Sequence, residues 1–196
     1  ALAATCEVLR CDALVREVAP ADDARALANL VRLIRRRRFD AVHTHQSKAG
    51  LLGRVAARAA GVGQAMINGS APSDWPDVAA LARLDPRNRV SFGLHPWDVP
   101  TAPAGWEAEL RAVLLAHPTA GVGEMGLDRW VKDFDPVAQE QVFRTQLALA
   151  VELDRALTIH AVKAIGPLMD ILRVAELPRR GFLLHSWNGP VELRSE

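Results

Sequence analysis

Residues 120–160 read AGVGEMGLDRWVKDFDPVAQEQVFRTQLALAVELDRALTIH. Two short apolar runs, Ala120–Glu124 and Ala156–His160, flank a segment of helical period, Pro136–Leu153. Val142, Phe143, Leu147, Ala150 and Val151 form one apolar face of that segment, interrupted only by Gln146. Asp135 stands at the N-cap position and Pro136 at the first helical position, where a missing N–H costs nothing. A strand, a long helix and a second strand make a crossover connection, and such a connection joins parallel strands.

The same alternation extends in both directions. Upstream lie a strand at Ala65–Asn68 with a helix at Ser73–Leu84, and a strand at Val90–Leu94 with a helix at Gly105–Ala116. Downstream lie a helix at Ile165–Val174 and a strand at Gly181–His185, after which Pro190–Glu192 read as the first turn of another helix. Nearer the start, Asp22–Arg38 is an amphipathic helix, with Leu27, Leu30, Val31 and Ile34 on one face, acidic residues at its head and Arg35–Arg38 at its tail. That arginine run reads as a helix terminus rather than a nucleic-acid patch. A short strand at Phe39–Val42 and a helix at Ala49–Ala60 follow. The pattern predicts an α/β fold with a parallel sheet, closed as a barrel or open and doubly wound.

Composition narrows the classes. The chain has 196 residues, 49% hydrophobic and 24% charged, with a net charge of +1. That balance excludes a disordered chain and a strongly basic nucleic-acid binder. No apolar run reaches the ~18 residues of a membrane span, and the first ten residues lack the basic head of a secretory signal. Cys6 and Cys11 have neither metal-site nor redox spacing, so a reduced, cytoplasmic protein is expected.

The polar residues fall in one kind of place. His43 and His45, His95, His160 and His185 each stand at or just after the end of an apolar run, and so does Glu124. In a parallel α/β fold the strand C-termini share one face, so these side chains should converge. Imidazoles and a carboxylate at one polar face suit divalent metal, and two metals could activate water and clamp a phosphate. A lone histidine at a strand end is commonly an ordinary loop residue, so the coincidence carries the argument rather than any single member. Of the five tryptophans, Trp75, Trp106 and Trp130 read as packing residues, while Trp97 and Trp187 lie in loops at the predicted site.

From about residue 62 onward the chain resembles the TatD family of metal-dependent hydrolases, TIM-barrel deoxyribonucleases and related phosphodiesterases. The resemblance rests on Phe92-Gly-Leu-His-Pro-Trp97, Gly123-Glu-Met-Gly-Leu-Asp128, Gln141–Leu147, Ile159-His-Ala-Val-Lys-Ala164 and Leu184-His-Ser-Trp-Asn-Gly189. It implies that Glu124 bridges metal ions, that His160 and His185 are ligands, and that His95 and Lys163 line the substrate phosphate. Two divalent ions would be the cofactors, and single-stranded or damaged DNA the substrate.

Residues from about 8 to 62 instead resemble the N-terminal domain of family-4 GT-B glycosyltransferases, chiefly through His43-Thr-His-Gln-Ser-Lys-Ala-Gly-Leu-Leu-Gly-Arg54. The expected organisation is therefore a 1–62 segment and a 63–196 TatD-like portion, an incomplete TIM-barrel-like fold preceded by an extra helix. Six strand segments can be counted, whereas a full barrel has eight strands in roughly 250 residues. The borrowed segment would restore the family's His-x-His pair through His43 and His45, and the unclosed sheet edges would favour self-association. By the TatD resemblance, an Asp after a later strand would complete the metal site, and it would be expected beyond Glu196. Three functions follow: a weak metal-dependent phosphodiesterase, an inactive chimeric or truncated α/β fragment, and a glycosyltransferase fragment.

Overall fold

The structure, a computed structural model, describes residues 9–15, 17–39, 42, 47–185 and 189–190. Among these the chain forms two compact units, Ala1–Ala65 and Met66–Glu196.

The first unit holds helices α1 (Pro20–Arg37) and α2 (Ser47–Ala59). Its small core is Ile34, Ala56 and Ala57, with Leu27, Leu30 and Val31 packed against it, which is the apolar face expected from the helical period. Asp23 accepts a hydrogen bond from the Ala19 backbone N–H at 3.2 Å, satisfying a donor at the head of α1. At the tail, Arg35 donates to the Ala59 carbonyl at 2.7 Å, so this arginine serves the C-terminal end of α2. In the expected strand Phe39–Val42, Asp40 and Ala41 lie outside the described residues, and Phe39 and Val42 belong to no helix or strand.

The second unit carries a sheet in the order β1 (Ala65–Asn68), β2 (Asn88–Phe92), β3 (Gly121–Asp128), β4 (Leu157–Val162), β5 (Phe182–His185). The pairs β2–β3, β3–β4 and β4–β5 are parallel. Between strands run α3 (Trp75–Leu84), α4 (Trp106–Ala116), α5 (Pro136–Glu152) and α6 (Ile165–Leu172). Spatial order equal to sequence order, with a helix in each crossover, is the incomplete TIM-barrel-like succession expected from the residue pattern. The core lies between sheet and helices, with Phe92, Leu94, Leu110, Leu114, Phe143 and Ile159 sealed inside. Among the described residues no helix is long and apolar enough to cross a membrane.

Three expectations are corrected. The strand placed at Ala120–Glu124 runs on to Asp128, so Glu124 lies within the strand. Val122 pairs with Leu157 and Met125 with Ile159, so β3 carries one more residue than β4 across that interval. This bulge re-aims the chain around Gly123 and Glu124 and lets pairing resume. Gly126 sits opposite His160 with φ +148°, and a Cβ there would run into the His160 carbonyl oxygen, so the position must be glycine. Gly123 and Gly126 are therefore parts of a strand.

The strand placed at Val90–Leu94 ends at Phe92 because side chains take over the hydrogen bonding of the next two residues. Trp75 donates from Nε1 to the Gly93 carbonyl at 3.1 Å. Leu94 donates to Gln146 Oε1 at 2.8 Å and accepts from Gln146 Nε2 at 3.1 Å. Gln146 is thus not a flaw in an apolar face: a fully buried amide replaces a ladder partner.

Trp75 and Trp106 are buried as expected, but Trp130 is 73% exposed and is no core residue.

Candidate metal centre

Four elements bring their C-terminal ends to one place. The segment beyond β2 carries His95, whose backbone N–H donates to the Ser70 carbonyl at 2.8 Å. Strand β3 carries Glu124 and Asp128, β4 carries His160, and β5 ends on His185. Helix α5 steadies two of these ends with amides seven residues apart, hence on one helix face. Gln146 clamps Leu94, and Gln139 clamps Asp128, accepting from its N–H at 2.9 Å and donating to its carbonyl at 3.0 Å.

Oε1 of Glu124 is the focus. It lies 3.1 Å from His160 Nδ1, 3.7 Å from His185 Nε2 and 3.9 Å from His95 Nε2. Donor atoms of His95, Glu124 and His160 all fall within 4.8 Å of one another. The predicted convergence of Glu124, His95, His160 and His185 is therefore present. His43, His45 and Trp187 lie outside the described residues. Lys163 follows β4 in a left-handed conformation, φ 52°, with Nζ 5.2 Å from the Trp130 ring centroid. Among the described residues it makes no ion pair with Glu124 or Asp128.

Electrostatics follow from this packing. Burial disfavours charge on His95 and the neighbouring His160 repels it, which lowers the His95 pKa to about 4. The ring is neutral near pH 7. Its Nδ1 accepts the Trp97 backbone N–H at 3.2 Å, so the proton sits on Nε2, the atom turned towards Glu124. That tautomer makes His95 a hydrogen-bond donor at the site. Burial also works against charge on Glu124, but the hydrogen bond from His160 and the adjacent imidazoles outweigh it and hold the carboxyl below its ordinary range. Burial pulls His160 down, yet its hydrogen bonds to Glu124 and Asp128 win and raise it.

Asp128 is the site residue that the sequence reading quoted in a motif but gave no role. Its Oδ2 lies 2.9 Å from His160 Nε2 and accepts Trp97 Nε1–H at 2.7 Å. Its Oδ1 accepts the backbone N–H groups of Trp130 at 2.7 Å and Val131 at 3.2 Å. The signal was its spacing: residues four apart in a strand share a face, so Asp128 follows Glu124. Ending the strand at Glu124 hid it.

The donors suit a divalent cation. Glu124, His95 and His160 offer a mixed nitrogen–oxygen set of donor atoms that could hold a metal ion, His185 Nε2 lies 3.7 Å from the same Glu124 oxygen, and Asp128 lies behind His160 at 2.9 Å.

The chain is similar to several known proteins. A family model described as TatD related DNase matches residues 39–196. A 3'-5' ssDNA/RNA exonuclease TatD from Enterobacter lignolyticus (strain SCF1) is 31% identical over 133 residues, covering 67% of this chain and 50% of that protein. An uncharacterized metal-dependent hydrolase, YabD of Bacillus subtilis (strain 168), is 32% identical over 111 residues, 55% of this chain and 42% of that protein. The crystal structure of YJJV, a TatD homologue from Escherichia coli K12, superposes with a TM-score of 0.65 at 28% identity, covering 69% of this chain and 53% of the other. A shorter similarity, 47% over 49 residues, joins 25% of this chain to 13% of an Escherichia coli galactosyltransferase that acts from UDP-Gal on GlcNAc-diphosphoundecaprenol. The chain spans about half the length of the TatD relatives it matches.

Proposed function

This chain belongs to the TatD-related DNase family, and on that premise we propose that its second unit carries a metal-dependent phosphodiesterase site acting on single-stranded nucleic acid. The observation that carries the reading is the meeting of three imidazoles on one carboxylate oxygen, Oε1 of Glu124, the four side chains coming from β3, β4, β5 and the segment after β2. Glu124, His160 and His185 would hold the metal. A divalent ion bound there supplies Lewis acidity to a phosphoryl oxygen and lowers the pKa of coordinated water.

The chain's own residues set the rest. With a metal bound, Asp128 would accept a hydrogen bond from the Nε2–H of His160, and Nδ1, which here contacts Oε1 of Glu124 at 3.1 Å, would be the ligating nitrogen. His95, neutral and protonated on Nε2, donates to a phosphate oxygen rather than ligating metal. The nucleic-acid substrate is supported by the family and by the activity named for the Enterobacter relative.

The test is metal-dependent hydrolysis of a single-stranded oligonucleotide by the wild type and by Glu124→Ala, with metal content per chain read on both. The expected result is loss of both metal and hydrolysis in the variant. Hydrolysis that survives the substitution would reject the reading.

A further inference from the structure

We propose that Trp130 and Lys163 form a base-stacking subsite beside the metal centre, holding an unpaired nucleobase while the lysine ammonium meets the neighbouring phosphate; this rests on the phosphodiesterase reading of the centre. Trp130 leaves 73% of its surface in water, a costly placement for the largest apolar side chain. Its backbone is nevertheless pinned, because its N–H donates at 2.7 Å to Oδ1 of Asp128. The other oxygen of that carboxylate contacts His160 Nε2 at 2.9 Å. One side chain thus ties the loop bearing the exposed indole to the imidazole of the metal centre.

The cation arrives from the same site. Lys163 lies three residues after His160 and turns through a left-handed backbone conformation, φ 52°, to place Nζ 5.2 Å from the indole centroid. A strained backbone at a non-glycine residue is costly, and it persists where the surrounding structure enforces it. Trp97 adds a second indole, 61% exposed and fixed by its Nε1–H on Asp128 Oδ2 at 2.7 Å.

A largely exposed indole with a positive charge held over its ring matches the repeat of a nucleic acid strand, a flat base alternating with an anion. Bases offer their faces to protein only when unpaired and unstacked, so such a platform favours single strands over duplex. The platform is indifferent to sequence, because every base has a π-face.

The experiment uses the whole chain in excess chelator, which prevents cleavage, and follows fluorescence anisotropy of two labelled probes. One is an oligothymidylate of roughly eight nucleotides, and the other an abasic deoxyribose-phosphate strand of equal length. Trp130→Ala should weaken binding of the oligothymidylate by about 5- to 100-fold and leave binding of the abasic strand unchanged. Trp130→Phe should retain most of the wild-type affinity, since its ring still stacks. Equal affinity of wild type and Trp130→Ala for the oligothymidylate, or an equal loss on both probes, would overturn the proposal. Metal content of Glu124→Ala, read in parallel, separates the two readings. If that variant keeps its metal while Trp130→Ala loses base binding, the hydrolase reading fails and the subsite stands. The reverse pattern removes the subsite alone.

Discussion

His160 is held between two carboxylates: Nδ1 lies 3.1 Å from Oε1 of Glu124, and Nε2 lies 2.9 Å from Oδ2 of Asp128. Glu124 and Asp128 stand on the same strand, β3, one within it and one at its end, and His160 comes from the neighbouring β4. The ring therefore has no freedom to choose its orientation. A ligand that is already oriented binds metal without first losing rotational entropy.

Asp128→Asn should lower metal affinity by about 10- to 100-fold, because a neutral amide no longer enforces the tautomer that presents Nδ1. Competition against a chromogenic chelator would measure it. An affinity within about twofold of wild type would show that Asp128 does not orient the ligand.

Gln146→Leu should destabilise the second unit by about 2–4 kcal/mol, read as a lower urea midpoint. Leucine has the right size but leaves the buried N–H and C=O of Leu94 without partners. Because Leu94 precedes His95, a shift there should also disturb the metal centre. Unchanged stability would mean that water or a new backbone bond replaces the amide.

Asp98 gives a pH-dependent prediction away from the metal. Burial, then repulsion from Asp74, raises its pKa above the ordinary value. An acid with a raised folded-state pKa contributes stability below its unfolded pKa and loses it as pH rises through the folded value. Asp98→Asn removes the charge that burial and Asp74 oppose, so it should stabilise the protein at pH 7, by about half a kcal/mol or less given the solvent screening of a partly buried group. The gain should vanish near pH 3, where the native carboxyl is already neutral. Thermal unfolding at the two pH values checks both, and a gain independent of pH would refute the electrostatic cause.

Much of the fold was legible in the residue order. Leu27, Leu30, Val31 and Ile34 gave α1, and Asp135 before Pro136 gave the start of α5, where the Asp135 carboxylate caps Val137 and Ala138 at 2.9 and 3.0 Å. These are local signals, and the physics behind them acts over a few residues. The placement of Glu124, His95, His160 and His185 was legible for a different reason. Parallel strands direct all their C-termini to one face, so topology alone predicts a meeting. The length of β3 was not legible, because glycine is a poor strand former and only the pairing with β4, which presses against Gly123 and Gly126, carries the strand on to Asp128. Trp130 was read as packing because an aromatic residue has no local mark that tells a core position from a rim.

By itself the sequence determined the periodicities, the caps and hence the parallel α/β order, since each depends on neighbours along the chain. It also placed His95, His160 and His185 at or near strand C-termini. Only the tertiary structure determined that Asp128 backs His160, that Gln139 and Gln146 stand in for ladder partners, and that Trp130 faces water beside Lys163. Those relationships join residues brought together across the sheet or from a helix laid over it. Hydrogen bonds and ring contacts are set by distances of a few ångströms, which no spacing in the chain encodes until the strands have paired.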